Sequence, residues 1–364
     1  MNKVLLFTVI VGVIMTSCAL IQPTKSDGSG QSAIAASPQF SQGKFHNAKT
    51  FDTMSLGQIP GYLKRFLFEP RKDAQPIKPV PVKPLTAAAL EVLPTDRMTL
   101  FRLGHSSFLL KADHEYWLID PVFSERASPF SFMGPKRFHQ PPIDIDGLPQ
   151  IRGVIISHNH YDHLDKQAIK QLKNKVESFI VPLGIGNDLI NWGIEADNIV
   201  ELDWWQSANI GALSLTSTPA QHFSGRGLTD GNETLWSSWV IKTPRQSLFY
   251  SGDTGYFDGF KTIGEQYGPF DMTIIETGAY DKNWPDVHMT PEQSLQAHID
   301  VRGGRMLPAH NGTFDLAFHA WYEPLERITA LGESAGVEVI TPGVGEAVDL
   351  VEMQAFSAWW RGLN

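Results

Sequence analysis

Residues 153–163 read Gly-Val-Ile-Ile-Ser-His-Asn-His-Tyr-Asp-His, so three histidines and an aspartate fall within six residues. The apolar run at 153–156 is rich in β-branched side chains and predicts a buried strand. Asp165 precedes a segment with apolar residues at helical spacing, a position typical of a helix N-cap. The sequence therefore predicts a loop at the C-terminal end of a strand, directly before a helix, that carries four possible metal ligands.

The spacing of these four side chains indicates a metal site. Side chains alternate along an extended chain, so His158 and His160 lie on the same side, and the turn brings Asp162 and His163 to the same volume. Imidazole nitrogens and carboxylate oxygens are common ligands of zinc and related metals. Four such groups on one loop suit two metals better than one. The alternative is a set of locally hydrogen-bonded histidines, which this spacing disfavours.

Three more histidines or carboxylates follow short apolar runs later in the chain. His222, Asp253 and His310 each come at or just after the end of a predicted strand. Metal and ligand sites are often built at strand ends of sheet proteins. Together with the loop at 158–163, four strand ends therefore each deliver an imidazole or a carboxylate.

The composition predicts a globular protein that does not bind nucleic acid. Of the 364 residues, 42% are apolar and 19% are charged, which is enough to build a large core. The formal net charge is −9. A protein that wraps nucleic acid needs a basic surface, so the acidic balance argues against that partner.

The N-terminus predicts a secreted, lipid-anchored protein. Residues 1–17 resemble a bacterial lipoprotein signal peptide, and their apolar run at 4–15 is shorter than the ~20 residues that span a bilayer. Cys18 follows and is the only cysteine, so we expect it to be lipidated. Ala19 rather than aspartate comes next, which favours the outer membrane of a bacterial cell envelope. The alternative is an ordinary signal peptide or an uncleaved anchor.

The remaining chain is divided by composition into a tether, an extension and one large domain. Residues 18–44 are rich in Ser, Gly, Gln, Pro and Ala and predict a flexible tether. Residues 45–97 predict an extension packed on the core, although the apolar groups at 45–68 also allow contact with lipid. Residues 98–364 form the predicted main domain, which contains all of the possible metal ligands named above.

Within the domain, we expect short antiparallel strands between residues 98 and 119, followed by alternating strands and helices. A helix is predicted at 187–192, and another begins at Pro291, where Thr290 and Gln293 form a capping-box pattern. His105 lies in a predicted turn, and we expect it to be a hydrogen-bonding group rather than a ligand; the alternative is a residue that lines the site. The aromatic and basic stretch at 124–142 predicts either a lid or binding wall or a plain surface loop.

The order of the motifs resembles a known superfamily. The His-x-His-x-Asp-His motif, followed by His222, Asp253 and His310, is similar to the signature of the metallo-β-lactamase fold, from about residue 98 to residue 351. Longer stretches resemble the family of N-acyl-phosphatidylethanolamine-hydrolysing phospholipases D and its bacterial lipoprotein relatives. These stretches are residues 120–129, 201–205, 219–222, 251–256 and 312–314. Asn311 departs from the family, which typically has tryptophan there.

The resemblance implies an α/β (α+β) fold, an αββα sandwich with two Zn²⁺ ions at one edge. One ion would be held by His158, His160 and His222. The other would be held by Asp162, His163 and His310. Asp253 would bridge the two ions, which agrees with the strand-end pattern described above.

The resemblance also implies a zinc phosphodiesterase of phospholipase D type that acts on a membrane phospholipid. Asp162 would also orient the attacking hydroxide, and His288 would line the site and assist the substrate or the leaving group. His288 is equally consistent with a helix-entry residue that has no chemical role. Alternative functions are hydrolysis of a lactone or thioester at the same site, or a non-catalytic envelope lipoprotein.

Overall fold

A computed structural model describes residues 28–49, 61, 64–65, 68–69, 71–350 and 352–364. The predicted signal peptide, Cys18 and most of the segment from 50 to 70 lie outside these residues. Within the described parts of the chain, no helix combines the length and the apolar content needed to cross a membrane.

The first of two seven-stranded sheets is antiparallel at one side and parallel at the other. Its order is β16, β3, β4, β5, β6, β7, β8. The strands are β3 (Thr99–Gly104), β4 (Ser107–Ala112), β5 (Glu115–Ile119), β6 (Ile151–Ile155), β7 (Val176–Pro182), β8 (Ile199–Leu202) and β16 (Ala347–Asp349). The strands from β16 to β5 pair antiparallel, and those from β5 to β8 pair parallel. The expected antiparallel start of the domain is confirmed.

The second sheet has the same mixed design, in the order β15, β14, β13, β12, β11, β10, β9. Its strands are β9 (Ser207–Ile210), β10 (Leu213–Thr218), β11 (Ser238–Lys242), β12 (Ser247–Tyr250), β13 (Phe270–Glu276), β14 (Gly303–Ala309) and β15 (Glu338–Val339). The pairs from β12 to β15 are parallel. Neighbouring parallel strands end at the same edge of a sheet, so residues that follow these strands can contribute to one site.

Seven helices and a small hairpin complete the described fold. The helices are α1 (Gly28–Ala36), α2 (Ala87–Glu91), α3 (Lys166–Leu172), α4 (Ile185–Asn191), α5 (Gly259–Tyr267), α6 (Pro291–Asp300) and α7 (Glu323–Ala335), and the hairpin pairs β1 (Phe40–Ser41) with β2 (Lys44–Phe45). Asp165 caps α3 as predicted, accepting hydrogen bonds from the N–H groups of Gln167 and Ala168. Thr290 and Gln293 form the predicted capping box of α6.

The hydrophobic core is divided into layers that define the architecture. Trp117 of the first sheet and Trp239 of the second belong to one buried cluster between the sheets. A second cluster joins the outer face of the first sheet to α3 and α4, and a third joins the outer face of the second sheet to α5, α6 and α7. The predicted αββα sandwich is confirmed.

The N-terminal segment corrects the prediction of a flexible tether that extends to residue 44. Residues 28–44 contain α1 and most of the hairpin, and Phe45 at the end of the hairpin is fully buried among Leu183, Trp204 and Trp236. The composition of this segment is that of a linker, but its few apolar side chains find partners far along the chain. Further on, Arg65 forms an ion pair with Asp281 at 2.5 Å.

Candidate metal centre

The first histidine cluster joins the loop after β6 to the end of β10. The distance from His158 Nε2 to His160 Nδ1 is 2.9 Å, and that from His222 Nε2 to His160 Nδ1 is 3.3 Å. One nitrogen from each ring lies within 4.8 Å of the other two, which is a spacing that can hold a metal ion. The structure thus brings together the three residues expected to hold one metal.

The second cluster joins the same loop to the end of β14. Asp162 Oδ2 lies 3.6 Å from His163 Nε2 and 3.2 Å from His310 Nε2. His105 Nε2 lies 3.0 Å from that oxygen, so His105 makes a hydrogen bond there, and its ring also has the spacing of a possible ligand together with Asp162, His163 and His310. The three residues expected to hold the other metal are therefore together as well.

Asp253 lies between the two clusters. Its Oδ1 is 3.1 Å from His163 Nε2, and its Oδ2 is 2.9 Å from His310 Nε2. The same Oδ2 lies 3.8 Å from His158 Nε2 and 3.9 Å from His222 Nε2. Asp253 is the only one of the seven ligand candidates that contacts histidines of both clusters through its carboxylate, as a bridging ligand must.

The backbone turns sharply where these side chains leave their strands. Asp120, after β5, and His310, after β14, have φ of 38° and 62°, a region that non-glycine residues rarely adopt. Gly252 has a φ of 58°, and a Cβ there would lie 2.9 Å from the side chain of Ser157. Conformations of this kind persist where surrounding contacts fix them, and they cluster at functional sites.

Contacts behind the histidines orient the rings. His163 Nδ1 lies 2.7 Å from Asp120, His222 Nδ1 lies 3.0 Å from the Val287 carbonyl oxygen, and each contact leaves Nε2 facing the centre. Such outer partners fix the tautomer of metal-binding histidines. The sequence analysis missed Asp120. Its position at a strand end could have indicated it, because Asp120 directly follows β5, the parallel neighbour of the strand that leads to His158.

Asp120 is itself held by three further hydrogen bonds. Its carboxylate accepts from the Ser157 N–H at 2.7 Å, the Ser157 hydroxyl at 2.5 Å and the Tyr250 hydroxyl at 2.5 Å. Asp120 is fully buried. A buried carboxylate with this many donors is a rigid support for the His163 ring.

Asn47 supports the first cluster from the N-terminal segment. Its amide nitrogen donates to the His222 carbonyl oxygen at 2.7 Å, and its amide oxygen accepts from the His222 N–H at 3.0 Å. The Trp236 indole also donates to that oxygen, at 3.0 Å. The sequence carries no local signal for this contact, because the two residues are 175 positions apart.

His288 lies beside both clusters and has a buried carboxylate behind it. Its ring centroid is 5.2 Å from that of His222 and 5.3 Å from that of His310. Its Nδ1 is hydrogen-bonded to Glu276, whose other oxygen accepts from the Thr254 N–H at 2.6 Å. The sequence analysis missed Glu276, although it ends β13 at the same sheet edge as His310.

Burial sets the charge of the first cluster. It lowers the pKa of His158 and of His222 well below the usual value, and it lowers the pKa of His160 to about 4. All three rings are therefore neutral near pH 7. A neutral imidazole has the free electron pair that a metal requires.

In the second cluster, neighbouring charges outweigh burial in setting the pKa values. Burial would raise the pKa values of Asp253 and Asp162, but His163 and the other neighbouring histidines hold both well below the usual range. Burial would lower the pKa of His310, but Asp253 and Asp162 raise it to about 10. The two ionised carboxylates thus make this part of the centre a place that favours positive charge.

The residues present fit a metal centre. His163 Nε2 and Asp253 Oδ1 are buried and lie 3.1 Å apart, and neither makes a hydrogen bond of normal geometry with any described residue. Buried polar atoms without partners are costly, and metal ligation would satisfy both of these atoms. The donor set of nitrogen and carboxylate oxygen suits zinc. Fold and site together define the class of a metal-dependent hydrolase with two adjacent clusters of possible metal ligands.

Comparisons with known proteins agree with this class. Residues 116–311 match the family described as the Beta-lactamase superfamily domain. The chain is 37% identical, over 243 residues, to N-acyl-phosphatidylethanolamine-hydrolyzing phospholipase D 1 of Caenorhabditis elegans. This match covers 63% of this chain and 68% of that protein. The chain therefore belongs to the metallo-β-lactamase superfamily, and it is a metal-dependent hydrolase.

Two further likenesses concern the envelope and the fold. Over 100 residues the chain is 48% identical to Outer membrane protein RomA of Klebsiella pneumoniae, which covers 28% of this chain and 75% of that protein. Igni18, a metallo hydrolase from the archaeon Ignicoccus hospitalis, matches 71% of this chain and 99% of its own with a TM-score of 0.54 and 23% identity. The second likeness concerns the fold alone.

Proposed function

We propose that the protein hydrolyses N-acyl-phosphatidylethanolamine or a related phospholipid to N-acylethanolamine and phosphatidic acid. The observation that carries the proposal is the joining of two ligand clusters by Asp253, in a chain related to a phospholipase D named for this substrate. A phosphodiester needs both a nucleophile and neutralisation of its charge, and two adjacent metal positions provide for both.

Two zinc ions are the proposed cofactors. His158, His160 and His222 would hold one ion, Asp162, His163 and His310 the other, and Asp253 would be shared. When bound, the ions would supply an acidified water as nucleophile and a positive surface for the phosphate oxygens.

The side chains around the ions are proposed to orient the reaction. Asp162 is ionised, and His105 holds one side of its carboxylate at 3.0 Å, so Asp162 can accept a hydrogen bond from the nucleophile in a fixed direction. His288 stands next to His222 and His310, where its ring can hydrogen-bond a phosphate oxygen or the leaving oxygen. Glu276 fixes the direction of that ring.

We also propose that the protein works in the bacterial envelope, anchored through lipid on Cys18 and facing the outer membrane. The N-terminal pattern of residues 1–18 and the likeness to an outer membrane protein support this location. An anchored enzyme would meet a phospholipid substrate in the plane of its own membrane.

The test uses the mature chain, from residue 18 onward, with Cys18→Ser. Metal content is measured first, and then release of N-acylethanolamine from a labelled N-acyl phospholipid dispersed in detergent. We expect about two zinc ions per chain and release that stops on chelation and returns with zinc. Two ions without release would reject the substrate but keep the metal centre. Absence of metal after loading with zinc would reject both.

A further inference from the structure

Exposed apolar side chains are concentrated beside the metal centre. Twelve large apolar side chains are exposed among the described residues, and five of them lie in two loops next to the ligand candidates. In the first, the aromatic loop (residues 124–137), Phe132 is 76% exposed. The second, the flanking loop (residues 223–232), contains Leu228, which is 69% exposed. The other three are Phe130, Met133 and Phe223.

Both ends of the aromatic loop are hydrogen-bonded to segments that carry ligand candidates. At its start, Ser124 donates to the Asp165 carboxylate from its N–H at 2.7 Å and from its hydroxyl at 2.9 Å. At its end, the Phe138 N–H donates to the Thr313 carbonyl oxygen at 2.8 Å. Asp165 closely follows His163, and Thr313 closely follows His310. The loop therefore rises from the rim of the metal centre.

A short stem keeps the tip of the aromatic loop away from the core. The Ala127 N–H donates to the Pro135 carbonyl oxygen at 3.1 Å, and the Arg137 N–H donates to Glu125 at 2.9 Å. Lys136 pairs with the Glu125 carboxylate at 2.7 Å, and Arg126 donates to the Gly134 carbonyl oxygen at 2.6 Å, so both charged side chains hold the stem together. At the tip, the Phe130 and Phe132 rings contact each other with centroids 5.5 Å apart.

The flanking loop is fixed at the other side of the centre. Arg226 donates to the carbonyl oxygens of Asn159 and Leu164 at 2.6 and 2.8 Å, and its guanidinium lies 4.0 Å from the centroid of the Tyr161 ring. Phe223 directly follows His222 in sequence and is 41% exposed. Both loops thus present apolar side chains at the rim from rigid supports.

We propose that the tips of these two loops form a surface that inserts into the outer layer of a lipid bilayer and holds the metal centre against the membrane. The inference rests on the proposed function, because a phospholipid substrate gives the centre a reason to face a bilayer. Apolar tips beside a site that must take substrate from a membrane suit insertion. Asn47, bonded to His222, brings the N-terminal chain to the same rim.

The chemistry of the surface favours uncharged apolar contact over attraction to anionic lipid. The protein has a formal net charge of −9. On the stem of the aromatic loop Lys136 is paired with Glu125, and Arg126 and Arg137 donate to backbone carbonyl oxygens. Electrostatic binding to anionic headgroups needs unpaired basic clusters. Binding to phosphatidylcholine vesicles should therefore withstand high salt, because salt screens charge but does not weaken apolar insertion.

The experiment measures flotation of the mature Cys18→Ser chain with phosphatidylcholine vesicles at low and at high salt. Phe132→Asp should weaken binding about tenfold or more, because it replaces a large inserted side chain with a charge. Met353→Asp is the matched control: Met353 is 77% exposed, and it follows β16 at the sheet edge where β3 begins, away from His105. This control should bind like the parent.

Three results would overturn the inference. These are absence of parent binding to phosphatidylcholine vesicles, equal loss in both variants, or binding that requires anionic lipid and disappears in high salt. A dimer that Phe132→Asp dissociates would assign the surface to a second copy instead. Metal content and thermal unfolding confirm that each variant is folded. Vesicle binding without cleavage of the detergent-dispersed lipid would reject the proposed function alone, and cleavage without vesicle binding would reject this inference alone.

Discussion

The two ligand clusters of the metal centre differ in how they are built. The first consists of three neutral histidines, and the groups behind its rings are neutral, namely the Ser157 hydroxyl behind His158 and the Val287 carbonyl oxygen behind His222. The second contains Asp162, and behind His163 stands the buried carboxylate of Asp120. Negative charge at a short distance attracts a cation far more strongly than neutral dipoles do. The two proposed ions would therefore be held unequally, and the first cluster should lose its ion first as chelator is added.

The largest effect is expected where the clusters meet. Asp253→Ala removes the carboxylate that contacts both, so both ions should be held weakly and phospholipid hydrolysis should fall by about 1,000-fold or more. Metal content after dialysis and initial rates of product release measure this. Asp253→Asn keeps the shape without the charge and serves as the control. Full zinc content and full activity in Asp253→Ala would show that the clusters do not depend on this bridge.

The next effect separates the clusters. Asp120→Asn weakens the support of His163, and we expect about 10- to 100-fold weaker zinc binding at the second cluster, as is typical for outer partners of metal ligands. Chelator titration should then show two sites of similar strength instead of two unequal ones. Tyr250→Phe removes one hydrogen bond to Asp120 and keeps the carboxylate, so it should leave the inequality in place. An unchanged titration of Asp120→Asn would contradict the argument from charge.

A smaller effect is expected from a substitution that leaves zinc bound at both clusters. Glu276→Gln alters the partner of His288 but none of the seven ligand candidates, so zinc content should stay at the parent level. Loss of a fixed ring direction should lower kcat about tenfold with little change in KM. Steady-state kinetics on the lipid substrate check this, with His288→Ala as the reference for complete loss of the ring. A loss of zinc in Glu276→Gln would instead place Glu276 in the metal site.

The smallest effect concerns the first cluster alone. Asn47→Ala removes both hydrogen bonds to the His222 backbone, so the free energy of unfolding should fall by about 1–2 kcal/mol and the first ion should leave at lower chelator concentration. Asn47→Asp keeps the acceptor for the His222 N–H and should lie between the parent and Asn47→Ala. Denaturant unfolding and chelator titration measure the two effects. Equal behaviour of both variants and the parent would show that His222 needs no support from the N-terminus.

The sequence predicted the parts of the centre that local pattern controls. His158 to His163 stand on one loop, and the strands before His222, Asp253 and His310 are short apolar runs, so each ligand candidate could be found at a strand end. The pairing of these strand ends at one edge came from resemblance to a known fold. Physically it depends on parallel neighbours such as β13 and β14, which local sequence does not specify.

The supporting residues escaped for different reasons. Asp120 directly follows the apolar run at 116–119, and Glu276 ends the run at 272–276. Both positions carry the strand-end signal that found Asp253. Asn47 carries no such signal, because its role depends on a contact with His222, which is 175 residues away in sequence. The burial of Phe45 was missed for the same reason, because the segment around it has a composition typical of linkers.

The contact between Asn47 and His222 has a consequence for the order of folding. Asn47 leaves the ribosome early and has no partner until the chain beyond β10 has been made and has folded back. Contacts this far apart in sequence close late, because the loop between them must be ordered first. The first cluster is therefore completed near the end of folding. Firm metal binding at the first cluster requires that the segment around Asn47 has reached the segment around His222. Retention of zinc therefore indicates a fully folded molecule.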